Sequence, residues 1–182
     1  VARRAEKLEA HKAALEKEFG VRVTVLAQDL VATGAAEAVF AATESANLQV
    51  DVLINNAGFG GHGKFHERSL DDERAMISLN IQTLTELCRL YLPGMVARGN
   101  GKILNVASTA GFLPGPLQAV YYATKAYVVS FSQAIAEELR GTGVSVTALC
   151  PGPVKTGFVE AANLEGVEVF DKAASPESVA RC

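Results

Sequence analysis

The sequence predicts an α/β protein in which a doubly wound parallel sheet carries helices on both faces. Two observations lead there. Short β-branched runs alternate along the chain with longer helical stretches, and strands separated by helices imply parallel pairing under helical layers. The 182 residues, 49% hydrophobic and 20% charged, suit one ordinary globular domain over residues 1–182 with a sizeable core.

The elements follow in order. From Arg3 to Phe19, Leu8, Leu15 and Phe19 recur at helical spacing among Lys and Glu, and Gly20 supplies a stop. Val21 to Leu26 is a short β-branched run read as a strand, and an alanine-rich helix from Ala35 to Ala46 leads to a second strand, Val50 to Ile54. Ser69-Leu70-Asp71-Asp72-Glu73 has the form of a capped helix start, with helical pattern to about Arg98 and a break or kink near Pro93-Gly94. Strand Lys102 to Val106, helix Val120 to Arg140, turn Gly141-Thr142-Gly143 and strand Val144 to Leu149 complete the alternation. Ser175-Pro176-Glu177 starts another helix, and only Thr156 to Ala174 shows no clear pattern.

Several function classes drop out on composition. Seventeen basic residues against 20 acidic ones leave a formal charge of −3, which gives no footing for nucleic acid. No apolar run is long enough to cross a bilayer and no signal peptide or basic cluster is present, so the expected location is cytoplasmic with no membrane partner. Cys88, Cys150 and Cys182 lack CxxC pairing and read as reduced thiols. His11, His62 and His66 have no ligand spacing, so no metal is expected.

Chemistry enters at Tyr121-Tyr122-Ala123-Thr124-Lys125, where four-residue spacing puts Tyr121 and Lys125 on one helix face. A phenol with a pKa near 10 transfers protons poorly at neutral pH, and a neighbouring ammonium favours tyrosinate and lowers that value. By itself the pair is equally a packed, solvated helix face. Ser108 lies just beyond a strand's carboxyl end, where open α/β sheets place their ligand crevice, and could polarise a carbonyl oxygen. Asn55-Asn56-Ala57-Gly58 ends the preceding strand, with small residues that let a ligand approach the backbone or simply make a turn.

Taken in order, these motifs resemble those of the short-chain dehydrogenases/reductases over essentially the whole chain. Asn55-Asn56-Ala57-Gly58 is similar to the family's NNAG, Asn80 to its helix asparagine, Ser108 to its strand-end serine, Tyr121 and Lys125 to its YxxxK, and Pro151-Gly152 to its PG. The resemblance implies a Rossmann-like sheet and a catalytic set of Asn80, Ser108, Tyr121 and Lys125. In it Tyr121 exchanges a proton with the substrate oxygen, Ser108 hydrogen-bonds that oxygen, Lys125 binds the nicotinamide ribose and lowers the tyrosine pKa, and Asn80 holds a water linking Lys125 to solvent. It also implies cofactor contacts from Asp29 and Leu30 near the adenine, from Asn56, Ala57 and Gly58 along the ribose, and from Pro151, Gly152, Val154 and Thr156 around the nicotinamide. Asp29 could otherwise be a helix N-cap.

Arg3 and Arg4 resemble the point after the family's second strand where NAD and NADP are told apart. Arginine suits a 2′-phosphate, which favours NADP over NAD, although two arginines at a helix start are also common as solvated charges. Pocket walls are expected from Phe59 and Gly60, Phe112 to Gly115, and Phe158 and Val159. The expected activity is hydride transfer between nicotinamide and a small carbonyl or alcohol, with homo-oligomers formed through the long helices; a catalytically silent dinucleotide sensor or scaffold of the same fold is the alternative.

One family feature has no counterpart. No glycine-rich loop of the TGxxxGxG kind occurs in these residues, so the first strand, that loop and most of the second strand are expected to lie outside them, as is a last strand beyond Cys182. The loop would bring backbone N–H groups and a helix N-terminus to the pyrophosphate, so cofactor affinity is expected to collapse without it. The incomplete sheet is expected to expose unpaired edges.

Overall fold

The computed structural model describes residues 1–155 and 173–181. These form two compact units, Val1–Gln49 and Val50–Cys182.

In the first unit, α1 (Ala5–Phe19) ends where Gly20 turns left-handed at φ 65°. Its Glu16 carboxylate accepts the Val23 N–H at 2.9 Å and ties the following extended segment back to the helix. That segment corrects the strand expected at Val21 to Leu26: pairing here is a single parallel bridge between Ala2 and Ala27. A strand needs a run of hydrogen-bonding neighbours, and among the described residues only Ala2 contributes beside this segment, with bonds to Leu26 and Gln28 at 3.3 and 3.0 Å. α2 (Ala35–Ser45) starts from Gly34 at φ 77° and buries Ala35, Ala36 and Val39.

In the second unit, β1 (Val52–Asn55), β2 (Gly101–Val106) and β3 (Val144–Leu149) form a parallel sheet in that order. The register pairs Asn55 with Asn105 and Val106 with Leu149, so the three strands end nearly level. α4 (Leu84–Arg98) and α5 (Ala119–Glu138) pack on one face of the sheet. Strand alternation turns Gly101, Ile103 and Asn105 of β2 toward them, and Ile103, Met95, Cys88 and Val128 centre the core. The opposite face is not the covered surface that the alternation predicted: Val52 and Ile54 are 55% and 58% exposed. A short α6 (Pro176–Ala180) is capped by Ser175, as its sequence suggested.

α3 (Leu70–Ile77) begins as expected, with Ser69 Oγ accepting the Asp72 N–H. The interruption before α4 does not fall at Pro93, which sits inside α4, but at Ser78–Thr83, a π-helical segment. Its wider turn holds one extra residue per hydrogen bond and re-aims the side chains that follow. Asn80 lies in this segment and is buried.

Candidate active site

Level strand ends bring three connections together: Asn56 to Phe59 after β1, Ala107 to Phe112 after β2 and Cys150 to Lys155 after β3. The last two are laced by Ala107 N–H to Leu149 O at 2.8 Å and Thr109 N–H to Pro151 O at 3.0 Å. Beneath them runs a buried polar chain. Asn55 Nδ2 donates to Asn105 Oδ1 at 2.9 Å, Asn105 Nδ2 to Ser132 Oγ at 3.0 Å, and Ser132 Oγ to Val128 O at 2.6 Å. The chain joins β1, β2 and α5 in the layer under the site, and each bond satisfies a polar group that burial would otherwise strand.

Ser108 has extended backbone and caps the short 3₁₀ turn Thr109–Phe112, its Oγ accepting the Ala110 N–H at 3.1 Å. The same hydroxyl hydrogen-bonds the Tyr121 phenol and lies 3.5 Å from Pro151 O. Tyr121 stands in the first turn of α5, and Lys125 stands one turn later with Nζ 5.9 Å from the Tyr121 ring centroid. The helical spacing thus brings phenol, ammonium and serine hydroxyl together.

Their electrostatics depart from the expectation that Lys125 lowers the Tyr121 pKa. Burial pushes the Tyr121 phenol above its ordinary value, and the Ser108 hydrogen bond offsets only part of that. Burial also lowers Lys125, to about 8, with the neighbouring Cys150 thiol opposing the shift. Burial thus shifts both groups toward their neutral forms, while Lys125, at about 8, still carries its proton at neutral pH. Lys125 Nζ donates to Val106 O at 2.7 Å, which orients it at the end of β2.

Asn80 is joined to the loop after β1 and to α5. Oδ1 accepts the Phe59 N–H at 3.2 Å, while Nδ2 donates to Phe59 O at 2.9 Å and to Thr124 Oγ1 at 3.1 Å. Thr124 Oγ1 in turn donates to Tyr121 O at 2.7 Å. Both amide hydrogens of Asn80 are used, so a water at this side chain meets only its oxygen. Gly58 explains the small residue of the motif: a Cβ there would stand 3.0 Å from Asn80 Oδ1 and 3.6 Å from Lys125 Nζ. The loop passes these two groups at a distance that leaves little room for a side chain.

The other sequence-selected residues divide between the two units. Asn56, Ala57 and Gly58 are exposed on the β1 loop; Pro151 is half-buried and Gly152 exposed after β3. Val154 pairs with Ala174 in an isolated parallel bridge. Thr156, Phe158 and Val159 lie outside the described residues. Arg3 and Arg4 are exposed in the first unit, at the start of α1. Asp29 is not a helix N-cap: its Oδ1 accepts the Val31 N–H at 3.1 Å in a local turn, half-buried Leu30 lies within it, and α2 starts from Gly34 instead. Sequence reasoning missed Thr124, which couples Asn80 to α5, and Arg68 and Glu73, which pair beside Tyr121's helix. Neither pairing has a local spacing signal across a loop. Among the described residues, no cluster of His, Cys, Asp and Glu could hold a metal ion, and no helix is long and apolar enough to cross a membrane.

A parallel α/β sheet with a tyrosine, a lysine and a serine gathered beyond its carboxyl ends defines a class of protein, and comparison with known proteins gives the family. The family model described as short chain dehydrogenase matches residues 1–165, and the chain belongs to that family. It is 40% identical over 137 residues to the ketoacyl reductase HetN of Nostoc sp., covering 72% of this chain and 46% of that protein. The NADP-dependent 3-hydroxy acid dehydrogenase YdfG of Salmonella typhi is 40% identical over 153 residues, covering 84% of this chain and 60% of that one. A short-chain dehydrogenase from Sphingobium yanoikuyae, solved in complex with NADPH, superposes with a TM-score of 0.90 at 31% identity, covering 99% of this chain and 70% of that one. The chain spans about half to three fifths of the length of the two curated relatives.

Proposed function

We propose that the protein is an NAD(P)-dependent oxidoreductase that transfers a hydride between a nicotinamide cofactor, NADP by preference, and a carbonyl or alcohol substrate. The observation that carries the reading is the Ser108–Tyr121 hydrogen bond with Lys125 one helical turn away, at the ends of three parallel strands. A cytoplasmic location and self-association through the long helices belong to the same proposal.

The residues present fit the nicotinamide end of such a cofactor. Gly58 leaves open the space beside Lys125 that a side chain would fill, and among the described residues nothing lies within 4 Å of a Cβ built on Gly152. Asn56, Ala57, Gly58, Lys125, Pro151 and Gly152 would hold the ribose and ring; the preference for NADP rests on the arginine chemistry of Arg3 and Arg4, which suits a 2′-phosphate. Bound there, the cofactor supplies or takes the hydride.

The chain's own groups handle the oxygen and its proton. In the reducing direction, Ser108 and Tyr121 donate hydrogen bonds to the carbonyl oxygen, and the Tyr121 proton passes to that oxygen as negative charge develops on it. A phenol kept protonated by burial is the form this direction requires. The resulting tyrosinate is one turn from Lys125, whose value of about 8 lets it hold or release a proton near neutrality. Asn80 fixes the loop after β1 and, through Thr124, the first turn of α5.

The two curated relatives are named for ketoacyl and 3-hydroxy acid chemistry, so a 3-oxo or 3-hydroxy acyl compound is the first substrate class to try. Optical assay, on the full-length protein, of NADPH or NADH oxidation against a panel of 3-oxoacyl compounds and plain ketones tests the reading, as does NADP reduction with 3-hydroxy acids. Tyr121→Phe is expected to abolish the signal. Wild-type turnover in that variant sinks the proposal.

A further inference from the structure

The peptide unit between His62 and Gly63 is held from both sides. Its carbonyl, His62 O, accepts from Arg68 Nη1 at 3.0 Å, and its amide, Gly63 N–H, donates to Leu117 O at 2.8 Å. A peptide unit is planar and stiff, so it acts as a crossbar between Arg68 and Leu117. Arg68 is itself anchored, because its Nε donates to Glu73 Oε1 in the first turn of α3. Both side chains are largely buried, at 15% and 7% exposure.

The geometry of the loop is built around this arginine. A Cβ on Gly61 would stand 2.0 Å from Arg68 Nη2, and one on Gly63, at φ 140°, would stand 3.3 Å from Arg68 Cγ. On the far side of the crossbar, Leu117 is held left-handed at φ 66°, a conformation a bulky residue rarely adopts unless its surroundings impose it. α5 begins two residues later, and Arg68, Glu73, Gly61 and Gly63 line one small cavity with Gln118 to Tyr121.

We infer that Arg68, anchored by Glu73, is a positioning residue for Tyr121, acting through the His62–Gly63 peptide and the Leu117 turn. This rests on the proposed acid/base role of Tyr121, which Arg68 does not touch in hydrogen-bonding terms. Its fork of donors lets it serve Glu73 and the His62 carbonyl together, which a lysine ammonium does not reproduce.

The test separates position from stability. Removing Arg68 alone would leave Glu73 buried without its partner, so the double variant Arg68→Met/Glu73→Met, which takes out both charges, is the informative one, with Arg68→Lys as the conservative companion. In the folded double variant kcat is expected to fall roughly tenfold or more while the cofactor KM stays within about twofold, as misplacement of a reacting group predicts. Hydrogen exchange at the Gly63 amide should quicken in the same variant, and Arg68→Lys should fall between it and wild type in both measurements. A folded double variant with wild-type kcat, or a Gly63 amide as protected as before, overturns the inference. Tyr121→Phe, run beside it, keeps the two claims apart: full turnover there defeats the acid/base reading, while Gly63 exchange still decides whether Arg68 holds the crossbar.

Discussion

Asn80 and Phe59 are paired through a side-chain amide and a main chain: Oδ1 accepts the Phe59 N–H at 3.2 Å and Nδ2 donates to Phe59 O at 2.9 Å. One residue of a π-helical turn thus satisfies both backbone groups of a residue in the loop after β1, in the manner of a short ladder. The second Nδ2 hydrogen, on Thr124, extends the grip to α5. The loop, the α3–α4 junction and the helix carrying Tyr121 and Lys125 are therefore fixed by one amide.

Asn80→Asp tests that relationship with almost no change of shape. The carboxylate can still accept from Phe59 N–H but cannot donate to Phe59 O or Thr124, and it introduces a charge at 2% exposure. A loss of about 2–4 kcal/mol in urea unfolding is expected, well beyond a neutral hydrogen bond. A loss under about 0.5 kcal/mol would falsify the two-sided grip.

Lys125 makes stability depend on pH in an unusual direction. Its value is lowered from 10.5 to about 8 by burial, so the folded state disfavours the charged form. Below about pH 8 both folded and unfolded chains carry the proton and the full penalty applies, roughly 3 kcal/mol at most. Between about 8 and 10.5 the unfolded chain binds more protons and the Lys125 contribution rises with pH. Cys88 works against it, since burial raises that thiol from 9.0 to about 11 and its contribution falls over that interval. Comparing wild type with Lys125→Met cancels the thiol: the variant's relative stability should be greatest at pH 7 and should shrink steadily toward pH 10. A difference that does not vary with pH would contradict the shift.

What the sequence made legible was what short-range spacing encodes. Tyr121 and Lys125 share a face because a helical turn holds 3.6 residues, Ser69 caps α3 because its hydroxyl reaches three residues on, and β2 and β3 fall within a residue of their predicted bounds. The π-helical segment was invisible because one shifted hydrogen bond changes the helix without changing which residues are apolar. Arg68 reads as one more loop charge until Gly61 and Gly63 are seen to clear its path. The Tyr121 and Lys125 shifts depend on how much water folding removes, which no spacing reveals. Val21 to Leu26 carries strand-like composition, but a strand also needs neighbours.

Ser132→Ala probes the layer under the site. The hydroxyl is 1% exposed, donates to Val128 O and accepts from Asn105 Nδ2, and Asn105 is fully buried. Deleting it frees a helix carbonyl that still has its backbone partner, but leaves one Asn105 hydrogen with no acceptor. A cost of about 1–3 kcal/mol is expected by urea unfolding. Ser132→Thr keeps the acceptor and should recover part of it; equal losses in both would show that packing, and not the hydrogen bond, sets the cost.

Leu117→Gly should be nearly neutral, against the usual loss on replacing leucine with glycine. Leu117 is held at φ 66°, where a Cβ is unfavourable by about 1–2 kcal/mol. It is 43% exposed, so removing its side chain forfeits about 1 kcal/mol of burial, and the greater freedom of glycine in the unfolded chain takes back up to about 1 kcal/mol more. A stability within about 1 kcal/mol of wild type in urea unfolding is therefore expected. The bond from Gly63 N–H ends on the main-chain oxygen of Leu117, so the substitution leaves its acceptor in place and the Gly63 amide should stay protected from exchange. Destabilisation by 1 kcal/mol or more would mean that the leucine side chain contributes packing that outweighs the relief of its backbone.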